Sequence, residues 1–117
     1  MTDIFVFGSN MAGRHGAGAA AFARKHHGAI YGKGVGLQGQ SYAIPTKDER
    51  LRTLPLETIQ LYVDAFLDFA ACRQDLTFCV TPIGCGLAGY KRSQIEPMFE
   101  DMPQNCRFAE TWKDHSG

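Results

Sequence analysis

Two apolar runs in this chain end abruptly in glycine. Residues 4–7 read Ile-Phe-Val-Phe and lead into Gly8, Ser9 and Asn10, then Gly13, Gly16 and Gly18. Residues 76–83 read Leu-Thr-Phe-Cys-Val-Thr-Pro-Ile and lead into Gly-Cys-Gly-Leu-Ala-Gly-Tyr. Glycine loses more backbone freedom on folding than any other residue. A chain that concentrates it directly after strands therefore needs bare backbone at those places. An apolar run of strand length with no polar alternation is buried on both faces, as in an interior strand of an α/β sheet.

The rest of the chain fits that class. Residues 3–7 are expected to be a strand, with 8–16 a loop. The alanine-rich stretch 17–27 suits a helix stopped by Gly28 in a left-handed cap. Residues 29–31 are expected to form a short strand, Gly32, Gly34, Gly36 and Gly39 a second flexible loop, and 41–46 another strand ending near Pro45. After the polar connection 48–53, Pro55 opens a strong helix over 56–72. There Leu56, Ile59, Val63, Phe66 and Ala70 recur at three- and four-residue spacing and make one apolar stripe. A strand over 76–83, the third glycine loop, a short helix capped by Ser93 and interrupted by Pro97, and a last strand over 105–109 complete the order. The alternation predicts a three-layer α/β/α domain with a mixed sheet. It spans residues 1–117, with 112–117 a frayed tail and Trp112 covering a sheet edge.

Composition narrows the partners. Lys plus Arg and Asp plus Glu both number 12, so the formal net charge is zero. No long-range attraction to nucleic acid or an anionic membrane is expected. Arg14, His15, Lys25, His26 and His27 lie close together but read most simply as a solvated helix face. The cysteines, Cys72, Cys79, Cys85 and Cys106, form no CxxC and match no zinc spacing. No metal or cofactor is expected. The start carries no basic segment followed by an apolar run, and no stretch approaches a membrane span. A cytoplasmic protein with free thiols follows as an expectation.

Backbone amides at a helix start point outwards and carry partial positive charge, which suits a phosphate if no Cβ intervenes. Glycines at 13–18 and 84–89 stand where helices begin, and strands of an α/β sheet offer ligands their carboxyl ends. Two such turns on one edge would grip two phosphates. The first loop is neither a GxxxxGK[ST] P-loop nor a dinucleotide fingerprint in register. The bland alternative is that these glycines only make tight turns.

Taken together, "VFGSN…GAGAA", "GVGLQG" and "IGCGLAGY" resemble the macrodomain superfamily, the ADP-ribose-binding modules, over roughly residues 4–99. "IGCGLAGY" is most similar to the branch that removes ADP-ribose from proteins or DNA. The resemblance implies binding of ADP-ribose or a related nucleotide diphosphate sugar. It implies that Asn10 lies at the distal ribose, with Gly16 and Gly18 passing beneath it and Ser9 among the ligand-binding residues. Gly34, Val35 and Gly36 would continue that wall, and Gly84, Cys85, Gly86, Leu87 and Ala88 would grip the diphosphate. Lys47 matches a lysine of that branch which attacks the anomeric carbon when its amine is neutral. Ala88 stands where the same branch has an acidic residue, so the general acid/base is missing unless Asp48 or Glu49 supplies it. The family's adenine-binding Gly-Asp-Ile segment has no separate counterpart.

Three functions follow as expectations: a nucleotide-sugar binder that hydrolyses an ADP-ribose linkage on a macromolecule, a non-catalytic module that reads or sequesters a nucleotide signal, and a scaffold with a vestigial pocket. Cys85 is expected to be exposed near helix amides that lower its pKa. His15 reads equally as a phosphate-orienting group or a surface loop residue, and Tyr90 as packing under the last helix.

Overall fold

The computed structural model describes residues 2–115. In chain order it contains β1 (Thr2–Asn10), α1 (Gly18–His26), β2 (Gly36–Gln38), β3 (Ser41–Lys47), α2 (Leu56–Cys72), β4 (Leu76–Val80), α3 (Arg92–Ile95) and β5 (Cys106–Phe108). Short 3-10 helices occupy Glu96–Phe99 and Glu110–Asp114. The strands form one mixed sheet in the order β2-β3-β1-β4-β5. β1, β3, β4 and β5 run parallel, and only the β2 edge is antiparallel.

The double burial expected of the first apolar run is realised with a period of two. Ile4 and Val6 enter a large cluster with α2, whereas Phe7 joins Ala20, Ala23, Ala29 and Ala43 beside α1, with Phe5 packed against it. Small residues on α1 let it lie close to the sheet. On α2, Ile59, Val63, Phe66 and Ala70 are fully buried, and each large side chain among them contributes roughly 1.5–3 kcal/mol by leaving water. Asn105 terminates α2 through its amide, which donates to the carbonyls of Ala70, Arg73 and Leu76.

Four local expectations are corrected. Residues 29–31 form no strand; the antiparallel edge strand is β2, inside the second glycine loop, because Gln38 pins that loop. Its amide accepts from the Ile30 N–H at 2.8 Å and donates to the carbonyls of Lys33 and Gly36. β1 does not stop at Gly8 but continues through Asn10, where its register with β3 shifts between Ser9 and Asn10. The stretch 112–115 is not frayed. Trp112 is buried, its indole N–H donates to the Val80 carbonyl, and its ring packs edge-on to Phe99 and Phe108. Residues 116–117 of the expected tail lie outside the described residues. Ser93 is not the cap of α3; the Gln94 side chain accepts from the Lys91 N–H instead.

Candidate functional site

β1 sits between β3 and β4, and the chain leaves its neighbouring carboxyl ends in opposite directions. From β1 it passes to α1 on one face; from β4 it passes to α3, whose Ile95 is buried with α2 on the other. Diverging loops open a crevice at this switch point, the usual ligand position in such sheets. A cavity of about 920 Å³ occupies it, large enough for a drug-sized ligand.

Both glycine loops border this one cavity. Gly16 and Gly18 line it from the start of α1, and Gly84, Gly86, Leu87 and Ala88 line it from the loop after β4. A Cβ on Gly18 would lie 3.9 Å from Leu87 Cδ1, so the loop tip arches over the start of the helix. A Cβ on Gly16 or Gly86 would meet nothing within 4 Å. Their bare backbone faces open space.

The second glycine loop is used differently. Gly34 is buried, and a Cβ there would lie 2.2 Å from the Asn10 carbonyl oxygen. Its own carbonyl accepts from the Ser9 hydroxyl. Gly34, Val35 and Gly36 do not line the cavity. Gly34 packs behind the end of β1 and holds Ser9 in place, while Val35 is exposed. Gly13 has φ +70°, and its Cβ would fall 2.3 Å from the Gly32 carbonyl carbon, a second backbone-on-backbone contact.

Ser9, Asn10 and Lys47 all line the cavity. The register shift brings Asn10 opposite Lys47 across β1 and β3. The Asn10 amide closes the loop, with Oδ1 accepting from the Arg14 N–H at 2.9 Å and Nδ2 donating to the Arg14 carbonyl at 3.0 Å. One N–H and one lone pair remain on that amide, and its orientation is fixed. The hydroxyls of Thr46 and Thr81 donate to the carbonyls of Ser9 and Val6 and brace the floor.

The cavity has a distinct electrostatic character. Arg14 and Lys47 line it, and neither side chain forms an ion pair among the described residues. No Asp or Glu lines it. Asp48, considered above as a substitute acid/base, is committed elsewhere. Its carboxylate accepts from the backbone N–H groups of Arg50 and Arg52 and pairs with the Arg52 guanidinium, and the Arg52 backbone bond leads in holding its pKa below the ordinary carboxylate value. Glu49 is exposed and does not line the cavity.

Two side-chain expectations change. Cys85 is half-buried and packs toward the core rather than lining the cavity. Burial pushes its thiol pKa up, outweighing nearby Arg92. His15 neither faces phosphate nor lies on the surface: it is 1% exposed, with Nε2 within 3.0 Å of the Lys33 carbonyl and 3.1 Å of Gln38 Oε1. Its partners lie 18 and 23 residues away, so no local pattern announces this. Tyr90 packs against the core, and its hydroxyl donates to the Leu54 carbonyl.

Arg14, Phe5, Phe22 and the segment that supplies Ala109, Thr111 and His115 were not singled out from sequence, yet all line the cavity. Arg14 read as part of a basic face; its position four residues after the strand-ending Asn10 was the available signal. Among the described residues, no cluster of His, Cys, Asp and Glu is suited to hold a metal ion, and no helix is long and apolar enough to cross a membrane. Compared with known proteins, the chain matches no family model and no curated protein sequence.

Proposed function

We propose that this chain binds ADP-ribose or a related nucleotide diphosphate sugar in a three-layer, macrodomain-like fold. One observation carries the reading. Two bare-backbone loops, at 16–18 and 84–88, border a single cavity that is also lined by two unpaired cations and, among the described residues, by no Asp or Glu. Backbone N–H groups and fixed cations together favour a multiply charged anion over a neutral ligand. The open, cation-bearing cavity argues against a vestigial pocket.

Binding without chemistry is the better-supported form. Lys47 is placed to reach a ribose lying beside Asn10, which favours the hydrolytic form. Cleavage of an N- or O-glycosidic bond also needs a group to move a proton, and among the described residues no Asp or Glu lines the cavity, which leaves His115 on its wall for that role. The free thiols suit a reducing compartment.

Isothermal titration of the protein with ADP-ribose tests the proposal. Saturable binding is expected, and no heat at millimolar ligand would contradict it. Incubation with ADP-ribosylated protein and DNA separates the two forms. Release of free ADP-ribose that disappears in Lys47→Ala while binding persists would establish hydrolysis. No release from the wild type leaves a reader or sequestering module.

A further inference from the structure

The chain is neutral as a whole, but its charges are segregated. Residues 4–47 carry Arg14, Arg24, Lys25, Lys33 and Lys47, and every Asp and Glu lies outside that stretch. The acids that flank it are already paired, Asp3 with Arg107 and Asp48 with Arg52. The surface of α1 and the loops beside it therefore carries positive charge with no acid of its own to offset it.

A second hollow, of about 410 Å³, lies on this surface. His15, Gly16, Ala21, Arg24 and Lys25 line it. Gly16 also lines the cavity described above, so backbone without a side chain separates the two. Arg24 and Lys25 are exposed, and among the described residues their side chains form no hydrogen bond or ion pair. The Arg24 guanidinium lies 4.8 Å from the centroid of the Tyr31 ring. This cation–π contact steadies the guanidinium and leaves its N–H groups free. His15 adds an independent sign. Its Nε2 faces two acceptors, the Lys33 carbonyl and Gln38 Oε1, and so carries the ring proton. Its Nδ1 is buried and meets no partner. A charge placed in the hollow acts on a ring nitrogen that nothing else engages.

We propose that this hollow is an anion site for a phosphate group, separate from the cavity. The planar fork of Arg24 and the point charge of Lys25 together suit a tetrahedral, multiply charged oxyanion. The site does not rest on the nucleotide reading, because its cations line a different hollow. The phosphate belongs either to the free ion or to the backbone of a nucleic-acid strand, and the two sources are separable by experiment.

Inorganic phosphate is titrated into 15N-labelled wild type and into the double variant Arg24→Gln/Lys25→Gln at constant ionic strength. The amides of Arg24 and Lys25 and the ring nitrogens of His15 should move with one Kd, while Gly84 and Gly86 stay fixed. The double variant should bind about tenfold more weakly, since each charge-assisted bond is worth about 1.5–3 kcal/mol, and Lys25→Arg should bind as the wild type does. Saturating ADP-ribose should leave the phosphate Kd unchanged. A short oligothymidylate that binds more tightly than phosphate, and loses that affinity in the double variant, would make a strand the source. Phosphate binding without strand binding would make it the free ion. Shifts confined to Gly84 and Gly86, displacement of phosphate by ADP-ribose, undiminished affinity in the double variant, or equal binding of a polyglutamate of matched charge would overturn the site.

Discussion

Residues 34–39 read Gly-Val-Gly-Leu-Gln-Gly and residues 84–89 read Gly-Cys-Gly-Leu-Ala-Gly. The two share every glycine and the leucine, yet they do opposite things. In the first, Gly34 presses against the carbonyl of Asn10, Leu37 packs toward the core, and Gln38 ties the loop into an edge strand. In the second, the equivalent Gly84 meets only the side chains of Ile95 and Thr46, Leu87 is 72% exposed, and the loop arches over the start of α1, while Gly86 and its counterpart Gly36 both face open space. The decisive difference is the residue after the leucine. The Gln38 amide satisfies three backbone groups and touches His15, so its loop collapses onto the fold. Ala88 has no such side chain, and its loop stays open beside the cavity. A glycine pattern alone therefore does not distinguish backbone packed on backbone from backbone offered to a ligand.

Substitutions separate the two roles. Gly34→Ala should have the largest effect on the fold, because the clash is with backbone rather than a movable side chain; overpacking of this kind costs about 3 kcal/mol, read by urea unfolding. Gln38→Ala should cost about 2 kcal/mol, since it removes three part-buried bonds, to the Ile30 N–H and the Lys33 and Gly36 carbonyls, and the contact with buried His15. It should also raise amide exchange across β2. Gly86→Ala should reverse the pattern. Its stability should stay within about 0.5 kcal/mol of wild type, while affinity for ADP-ribose falls about tenfold as a methyl group enters the cavity. Equal destabilisation by Gly34→Ala and Gly86→Ala would erase the contrast between the loops.

A smaller effect is expected far from either loop. Asp3 accepts from Arg107 at 3.0 and 2.7 Å and from the Thr77 hydroxyl. The Arg107 bonds, reinforced by Thr77 and opposed by partial burial, hold the Asp3 pKa below its ordinary 3.8. A carboxylate with a lowered folded pKa stabilises above its unfolded value and loses that contribution as pH falls through the folded one. The pair is about half exposed, so Asp3→Asn should cost only about 0.5 kcal/mol at neutral pH. The gap between variant and wild type should close as pH drops below about 3.8.

The sequence made the parallel core legible because strong periodicity survives without context. The α2 stripe and the doubly apolar β1 depend only on nearest neighbours in their own elements. β2 was hidden because its formation depends on a glutamine reaching residues two to eight positions away. That Trp112 covers the sheet was expected, but the order of the tail around it was hidden because its partner, the Val80 carbonyl, lies 32 residues earlier. Of the candidate site, the two cavity-lining glycine loops stood out by composition and position, and Lys47 through the resemblance. Arg14 and Phe22 did not, since an exposed arginine and a helical phenylalanine carry no local mark of what they face. Gly34 was misplaced on the cavity wall because the resemblance carried it there by position, and a glycine pattern does not show that a Cβ there would run into the Asn10 carbonyl instead.

The central claim is that the loops at 16–18 and 84–88 grip one anion between them. Titrating 15N-labelled protein with ADP-ribose, and following the amide signals of Gly16, Gly18, Gly84 and Gly86, addresses it directly. All four should move together with a single Kd, while Gly28 and Gly39, which pack against each other, stay fixed. Shifts confined to one loop, or none at millimolar ligand, would contradict it.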